Sequence, residues 1–244
     1  MNNFTDHNLE TNSKFVYIEQ KYNFVRSEVT ITGDGSSTLY VPELDEHYHS
    51  THGAVQESQY VFIEKGLNSM STRELTIFEF GFGTGLNVLL SMLYANDRKI
   101  FYHAMELHPL AWSEVEPLGY SKFLNLSDDE EIRFSMIHSA EWNHEVKIKK
   151  GFYLKKIHGS ILNTILDEKY DLIYYDAFAP AVQPELWGEQ VFLKLYDSLK
   201  PGGRLVTYCA KGEVRRIMIS AGFKVERLPG PPGKREILRA TKNC

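Results

Sequence analysis

The stretch FEFGFGTGLNVLL, residues 78–90, constrains the fold of this chain more than any other segment. A short apolar run typical of a buried strand comes first, three glycines follow at alternate positions, and helical apolar spacing then begins. A tight turn from a strand into a helix needs backbone angles that cost a residue with a Cβ about 1–2 kcal/mol. Gly81, Gly83 and Gly85 supply those angles and leave the free N–H groups at the helix start open to a ligand.

Strands and helices alternate along the rest of the chain. Short β-rich runs predict strands at residues 75–80, 99–105, 152–158, 170–176, 204–210, 223–228 and 235–241, and apolar spacing predicts helices near 85–95, 127–140, 184–199 and 212–221. The last two strands are joined only by PGPPGK, which predicts an antiparallel hairpin at the sheet edge. This order favours an α/β fold with a doubly wound, mostly parallel, seven-stranded Rossmann-like sheet. Its ligand is expected at the carboxyl ends of the strands.

Three parts are predicted along the chain. Residues 1–24 are weakly patterned and are interpreted as a mobile lead-in. Residues 25–68 contain a β-hairpin around the turn GDGS, followed by a cleft-covering segment with a helix near 55–67. Residues 69–244 form the main domain.

The acid that follows the second strand of this domain completes a cofactor-binding pattern. A dinucleotide loop of the form G-x-G-x-x-G needs a glycine where this chain has Leu86. Glu106 ends the segment YHAME, a place where a carboxylate can accept both hydroxyls of a ribose. A glycine turn and such an acid together indicate an adenosine cofactor without a pyrophosphate, and S-adenosylmethionine fits that description.

A second candidate site lies in YDLIYYDAFAPAVQPELW, residues 170–187. A buried strand ends there at Asp176, and Pro180 prevents the chain from continuing as a strand or helix. Phe178 and Trp187 could stack on a planar base. An alkylamine with a pKa near 10.4 must lose a proton before methyl transfer, at a cost of roughly 4.6 kcal/mol at pH 7. Asp176 is expected first to orient such an amine and then to accept its proton.

These motifs resemble a known family. FGFGTGLN, ESQYVF and the D-A-F-A-P-x-x-x-P-x-x-W element together are similar to the methyltransferase half of the bifunctional tRNA 5-methylaminomethyl-2-thiouridine biosynthesis protein, over roughly residues 25–242. The resemblance implies an MnmC-like, stand-alone MnmD-type class I enzyme that methylates the aminomethyl nitrogen of the tRNA wobble uridine. It assigns the active-site aspartate to Asp176. It assigns cofactor contacts to Gly81, Gly83, Gly85 and Glu106. Glu79 and Phe82, in the same segment as the glycines, are also expected to contact the cofactor.

Two features depart from that family. Its bifunctional members carry an FAD-dependent domain, which this chain is expected to lack. Ser160 stands where relatives often place an acid near the adenine, so its expected contact with the cofactor is a hydrogen bond.

The expected macromolecular partner is the tRNA anticodon stem–loop, since a rigid loop carries Lys234 and Arg235 near the predicted cleft. These two residues, with Phe178, Pro180 and Trp187, form the predicted substrate-binding set. Further basic residues could form phosphate-binding patches or simply a solvated surface: Lys147, Lys149, Lys150, Lys155, Lys156, Arg215 and Arg216. The net charge of −5 argues against a nucleic-acid-binding surface over the whole molecule.

Several classes of protein are disfavoured. Two cysteines are too few for a disulfide framework or a zinc site, and no long apolar run predicts a membrane span, so a cytoplasmic location is expected. His47, His49 and His52 lack a partner cluster for a metal; they are interpreted as surface residues, or as part of a loop over the cleft that contacts substrate. The alternative functions are a small-molecule amine methyltransferase or aminopropyltransferase on the same fold, and a non-enzymatic RNA-binding module.

Overall fold

The computed structural model describes residues 27–243, and the lead-in predicted at 1–24 lies outside them. The strands are β1 (Glu28–Ile31), β2 (Ser37–Val41), β3 (Glu46–His47), β4 (Glu74–Phe80), β5 (Lys99–Glu106), β6 (Glu145–Lys149), β7 (Phe152–His158), β8 (Tyr170–Tyr175), β9 (Leu199–Thr207), β10 (Lys224–Pro229) and β11 (Glu236–Thr241). The α-helices are α1 (Ala54–Ser58), α2 (Leu86–Leu93), α3 (Trp112–Val115), α4 (Tyr120–Phe123), α5 (Asp128–Ser139), α6 (Glu189–Ser198) and α7 (Gly212–Ser220). A π-helix, Gln59–Glu64, continues α1, and short 3-10 helices occupy Leu67–Ser69, Glu116–Leu118 and Pro184–Trp187.

The main sheet has the strand order β10-β11-β9-β8-β4-β5-β7-β6. The five central strands, from β9 to β7, are parallel, while β11 pairs antiparallel with both β9 and β10. This confirms the predicted fold class and the C-terminal edge hairpin. The sheet has eight strands rather than seven, because β6 adds an antiparallel strand to the opposite edge. Only two of its five residues, EVKIK, are apolar, so the sequence pattern there is too short and polar to indicate a strand.

Helices cover both faces of this sheet. Successive side chains of a strand point to opposite faces, and in β4 Ile77 packs into one apolar cluster and Phe78 into the other. The first cluster includes side chains from α2, α5 and the π-helix, and the second includes side chains from α6 and α7. Each large apolar side chain buried in this way stabilises the fold by about 1.5–3 kcal/mol. Between residues 27 and 243, no helix combines the length and apolarity that a membrane crossing requires.

A separate three-stranded antiparallel sheet, β1-β2-β3, contains the predicted hairpin. Its turn caps the first helix through three side chains. The Oδ2 atom of Asp34 accepts a hydrogen bond from the backbone N–H of Gln56 at 2.9 Å. Thr32 Oγ1 accepts from the N–H of Ala54 at 3.2 Å, and Ser36 Oγ from that of Val55 at 3.1 Å. Free N–H groups at a helix start need such acceptors, so the hairpin turn fixes the position of α1.

Candidate functional site

A cavity of about 840 Å³ opens at the carboxyl ends of the central parallel strands, where the fold predicts a ligand. Its walls come from the glycine turn after β4, the loops after β5, β7 and β8, and α1. The segment around β3 and the loop between β10 and β11 complete it. Its size is within the usual range for small-molecule sites, about 300–1,000 Å³.

The glycine turn lets two strand ends approach each other closely. Gly81, Gly83 and Gly85 have φ angles of +93°, +48° and +71°, in the left-handed region that favours glycine. A Cβ on Gly81 would collide with the carbonyl oxygen of Asp176, and one on Gly83 would lie 3.1 Å from the Tyr48 ring. Gly81 and Gly83 line the cavity.

Two other residues of the predicted turn have different positions. Phe82 lines the cavity although its side chain is buried, and its backbone N–H donates to the carbonyl oxygen of Met105 at 3.0 Å. Gly85 does not line the cavity; it is the N-cap of α2 and packs against His138. Gly81 and Gly83 are therefore placed beside a ligand in the cavity, whereas Gly85 sets the start of α2.

Glu106, the last residue of β5, lines the cavity and is held by three backbone donors. Its Oε2 accepts from the N–H of Gly83 at 3.0 Å, and its Oε1 accepts from those of Leu107 and His108, each at 2.9 Å. Burial raises the pKa of this carboxyl, and the three hydrogen bonds oppose that shift. A carboxylate offers about four acceptor positions, so Glu106 retains acceptor capacity for a hydroxyl of a bound molecule.

Asp176 follows β8, which lies on the other side of β4 from β5, and lines the same cavity. Its backbone N–H donates to the carbonyl oxygen of Phe80 at 3.0 Å, and its Oδ2 accepts from Asn87 Nδ2 at 2.9 Å. Burial is the main cause that raises the pKa of Asp176 to about 7; the charge of Glu57 contributes to this rise, and Asn87 and Lys234 oppose it. At neutral pH this carboxyl is therefore poised to gain or lose a proton.

An ion pair forms the wall beside Asp176. Lys234 Nζ lies 2.5 Å from Glu57 Oε2 and 4.0 Å from the centroid of the Tyr208 ring. The hydroxyl of Tyr208 donates to the carbonyl oxygen of Ala177 at 2.8 Å. Lys234 was predicted to face tRNA phosphates; its ammonium instead contacts a carboxylate and an aromatic face inside the site.

Sequence reasoning assigned no role to Glu57, Asn87 or Tyr208. Glu57 is the first residue of ESQYVF and Asn87 the last of FGFGTGLN, so both lie in motifs that supported the family resemblance. Nothing in the sequence around Tyr208 distinguishes it from other core-facing residues at a strand end.

Two residues that were predicted to contact ligands line the cavity. Phe178 lines the cavity, and its ring meets that of Tyr48 edge-on with 5.1 Å between centroids. Ser160 also lines it, and its hydroxyl oxygen accepts from the N–H of Leu162 at 3.3 Å.

Four predicted site residues lie elsewhere. Glu79 is fully buried behind the glycine turn and does not line the cavity. Trp187 is buried in the core, where its Nε1 donates to the carbonyl oxygen of Phe178 at 2.9 Å, so it shapes the loop instead of presenting a free ring. Pro180 and Arg235 are not among the lining residues, and Arg235 is exposed. The positions of Glu79, Pro180 and Trp187 do not support contact with a cofactor or base, whereas the exposed Arg235 stays accessible to a phosphate.

The three histidines of the segment EHYHSTH do not act together. Among residues 27–243, no group of histidine, cysteine or acidic side chains could hold a metal ion. His47 and His49 line the cavity, and burial lowers the pKa of His49 to about 4, which keeps it neutral. His52 is exposed, and its ring lies where a Cβ on Gly233 would be. This segment therefore covers the cleft, as one of the two sequence interpretations expected.

One lysine of the predicted basic patches is in the core. Lys156 is 1% exposed, its Nζ lies 4.6 Å from the centroid of the Trp142 ring, and it donates to the carbonyl oxygen of His138. Burial lowers the pKa of Lys156 to about 8. It cannot contact phosphates from this position, whereas Lys147 and Lys150 are exposed.

Comparison with known proteins agrees with this geometry. The family described as S-adenosyl-L-methionine-dependent methyltransferase matches residues 130–243. The tRNA 5-methylaminomethyl-2-thiouridine biosynthesis bifunctional protein MnmC of Pseudomonas fluorescens (strain Pf0-1) is 32% identical over 215 residues, 80% of this chain and 32% of that protein. MnmC of Campylobacter fetus subsp. fetus (strain 82-40) is 29% identical over 220 residues, 87% of this chain and 35% of that protein. The chain spans about a third of the length of the curated relatives it matches.

Solved structures show the same fold. MnmC2 from Aquifex aeolicus superimposes with a TM-score of 0.69 at 22% identity, covering 97% of this chain and 78% of that chain. Spermidine synthase from Thermotoga maritima gives a TM-score of 0.51 at 13% identity, covering 89% of this chain and 72% of that chain. At these identities the likeness concerns the fold alone. By sequence, the chain is similar to S-adenosyl-L-methionine-dependent methyltransferases over residues 130–243 and to the MnmC protein of Pseudomonas fluorescens over 80% of its length.

Proposed function

We propose that the chain transfers a methyl group from S-adenosylmethionine to the aminomethyl nitrogen of 5-aminomethyl-2-thiouridine at the tRNA wobble position. One observation carries the proposal: Glu106 and Asp176, at the ends of different strands, line a single cavity on either side of the glycine turn. The relatives are named for biosynthesis of the corresponding methylated nucleoside in tRNA.

The residues present fit the cofactor. A Cβ on Gly81 or Gly83 would collide with Asp176 or crowd Tyr48, so backbone alone fits at those points beside the cavity. Glu106 has acceptor capacity left for a ribose hydroxyl, and Ser160 can donate or accept a hydrogen bond. We assign Glu106 to the ribose of the cofactor and the glycine turn to its amino-acid part. When bound, S-adenosylmethionine supplies an electrophilic methyl group.

Asp176 supplies the acid–base chemistry in this proposal. At neutral pH the substrate amine is an ammonium, which must give up an N–H proton so that the nitrogen lone pair can form the new C–N bond, and Asp176 accepts that proton. Raising a carboxyl pKa from 3.8 to about 7 makes that proton transfer more favourable by about 4 kcal/mol. The hydrogen bond from Asn87 leaves one carboxylate oxygen to receive the proton while the other stays fixed.

The anticodon stem–loop is the proposed macromolecular partner. Exposed basic residues around the molecule, including Arg235 beside the mouth and Lys147 and Lys150 on the far sheet edge, are available for phosphates. Phe178 is the aromatic side chain of the predicted set that lines the cavity and can stack on the modified base.

The test is an Asp176→Asn variant with tRNA that lacks the final methyl group. The new amide keeps an oxygen for the Asn87 hydrogen bond but cannot act as a base, so we expect the methylation rate to fall by about 10²- to 10⁴-fold. In the wild type the rate should rise with pH through about 7, as Asp176 loses its proton. Nucleoside mass spectrometry measures the product, and calorimetry should find cofactor binding retained.

The matched control is Asp197→Asn on α6, an exposed aspartate outside the cavity. It should leave both rate and binding unchanged. Full activity of Asp176→Asn would remove that residue from the chemistry. Transfer to putrescine without any tRNA would replace the proposal with a small-amine transferase.

A further inference from the structure

The Glu57–Lys234 ion pair joins two distant parts of the chain inside the candidate site. Glu57 belongs to α1 and Lys234 to the loop between β10 and β11, and both line the cavity. Glu57 is 8% exposed, so its charge is largely removed from water. A buried carboxylate without a partner is costly, and Lys234 supplies that partner.

The pair also acts on Asp176 by its charge. Glu57 favours a proton on Asp176, whereas Lys234 disfavours it, and the two effects oppose each other. An ammonium group entering the cavity would otherwise meet two carboxylates. Two carboxylates around one ammonium would bind it more tightly and would also hold its proton more firmly.

We infer that Lys234 is a positioning residue of the methyl-transfer site, which neutralises Glu57 so that an incoming amine faces the single charge of Asp176. The inference rests on the proposed function, because it takes a primary amine as the substrate. Tyr208 holds the lysine in place from its ring face, 4.0 Å away.

Two other titratable groups approach Asp176, and burial favours the uncharged form of each. Glu79 approaches from β4 and Tyr208 from the end of β9, and burial raises the pKa of both well above the usual range. Asn87 on α2 contributes an uncharged hydrogen bond. Glu57 and Lys234 are therefore the charged neighbours of Asp176 that a substitution can alter.

The principal test is Lys234→Met, assayed by steady-state kinetics across a pH range of about 6–9. Loss of the positive charge should move the rising limb of the pH–rate profile about one pH unit higher and lower kcat at neutral pH about tenfold. KM for the amine-bearing tRNA should stay equal or fall, because Glu57 then also attracts the ammonium. The double variant Lys234→Met/Glu57→Gln should restore the profile, and Lys234→Arg, which keeps the charge, should show little change.

The control is Lys224→Met, an exposed lysine on β10 of the same hairpin. It should leave kcat, KM and the pH profile unchanged. The inference would be overturned if Lys234→Met raised KM, left the pH profile unchanged and was not rescued by Glu57→Gln. Lys234 would then be a phosphate contact.

A second measurement needs no tRNA and separates this inference from the proposed function. Titration of ¹³C-labelled aspartate carboxyls by NMR should show the pKa of Asp176 rising in Lys234→Met and returning in the double variant. An unchanged Asp176 titration would refute the role of Lys234 even if the wild type methylates tRNA. If Asp176 titrates as expected but the wild type does not methylate tRNA, the inferred charge arrangement stands and the proposed function is refuted.

Discussion

At the scale of single residues, Glu79 is the most unusual group near the site. It lies near the end of β4 and has no exposed surface, and within the described part of the chain neither carboxyl oxygen has a hydrogen-bond partner of normal geometry. Burial raises its pKa well above the usual value; the side chains of Asn87 and Tyr102 oppose that shift, and the charges of Asp176 and Glu106 add to it. Burial therefore favours the protonated, uncharged form of Glu79, which opposes a third negative charge behind the glycine turn.

This neutrality predicts a pH-dependent stability. The folded chain holds the Glu79 proton above pH 4.5, where the unfolded chain releases it, so stability falls as pH rises from that value towards the folded pKa. In Glu79→Gln this slope should disappear. The variant should gain stability relative to wild type between about pH 5 and 8, by about 1.4 kcal/mol for each pKa unit that folding adds.

Urea unfolding near pH 5 and near pH 8 measures the effect. Glu213→Gln, an exposed glutamate on α7, is the control and should follow the wild type at both values. If the unfolding free energies of Glu79→Gln and wild type change equally between pH 5 and pH 8, the Glu79 carboxyl is ionised in the folded chain.

The residue scale also shows what the sequence could predict. Glu106 and Asp176 are far apart in sequence, yet both were expected at one cleft, because each follows a predicted parallel strand and such strands end at one sheet edge. Glu57 and Tyr208 were not expected there, since their positions depend on how α1 and β9 pack. Glu79 precedes the turn in sequence, but strand alternation points its side chain into the helix-covered face, away from the cavity.

At the scale of elements, the hairpin turn and α1 form one unit. Asp34 accepts from the N–H of Ser36, the hydroxyls of Thr32 and Ser36, and the N–H of Gln56. Gly53 fits against it with no room for a Cβ. These contacts decide where α1 begins and therefore where Glu57 enters the cavity.

Asp34→Ala should consequently destabilise the chain by about 1–2 kcal/mol, the usual cost of losing a helix-capping side chain. It should also reduce methylation, because Glu57 and its partner Lys234 lose their fixed position. Calorimetric unfolding and the tRNA assay measure the two effects. Asp97→Ala, at an exposed loop aspartate, should change neither; equal stability of both variants would contradict the capping role.

Helices and strands with a clear hydrophobic period were predictable from the sequence, whereas short elements were not. The hairpin, the strands of the parallel sheet and the helices α2, α5, α6 and α7 agree with the predicted segments within a few residues. The helix near 55–67 instead begins as α1 and continues as a π-helix, a change of pitch that apolar spacing does not encode. The four-residue helices α3 and α4 were missed, because one turn is too short to show a 3.6-residue period.

At the scale of the whole molecule, the fold places the two halves of the proposed chemistry on the two strands that flank β4. β4 lies between β5 and β8, so the glycine turn is flanked by Glu106 on one side and Asp176 on the other. The N-terminal sheet and α1 then close the cavity from above, with Tyr48 and Glu57. A ligand in the cavity therefore contacts segments that are distant in sequence, and its binding stabilises their packing.

That arrangement predicts a thermal shift. A ligand that binds only the folded state at about 100 times its Kd stabilises it by about 2.7 kcal/mol. For a chain of this size such a gain raises Tm by roughly 5–11 °C. S-adenosylmethionine should produce this shift in differential scanning fluorimetry. Glu106→Gln, which keeps the shape but loses the charge that accepts ribose hydroxyls, should lose most of it, whereas the exposed Glu168→Gln should retain it all. An equal shift in all three proteins would remove Glu106 from cofactor binding.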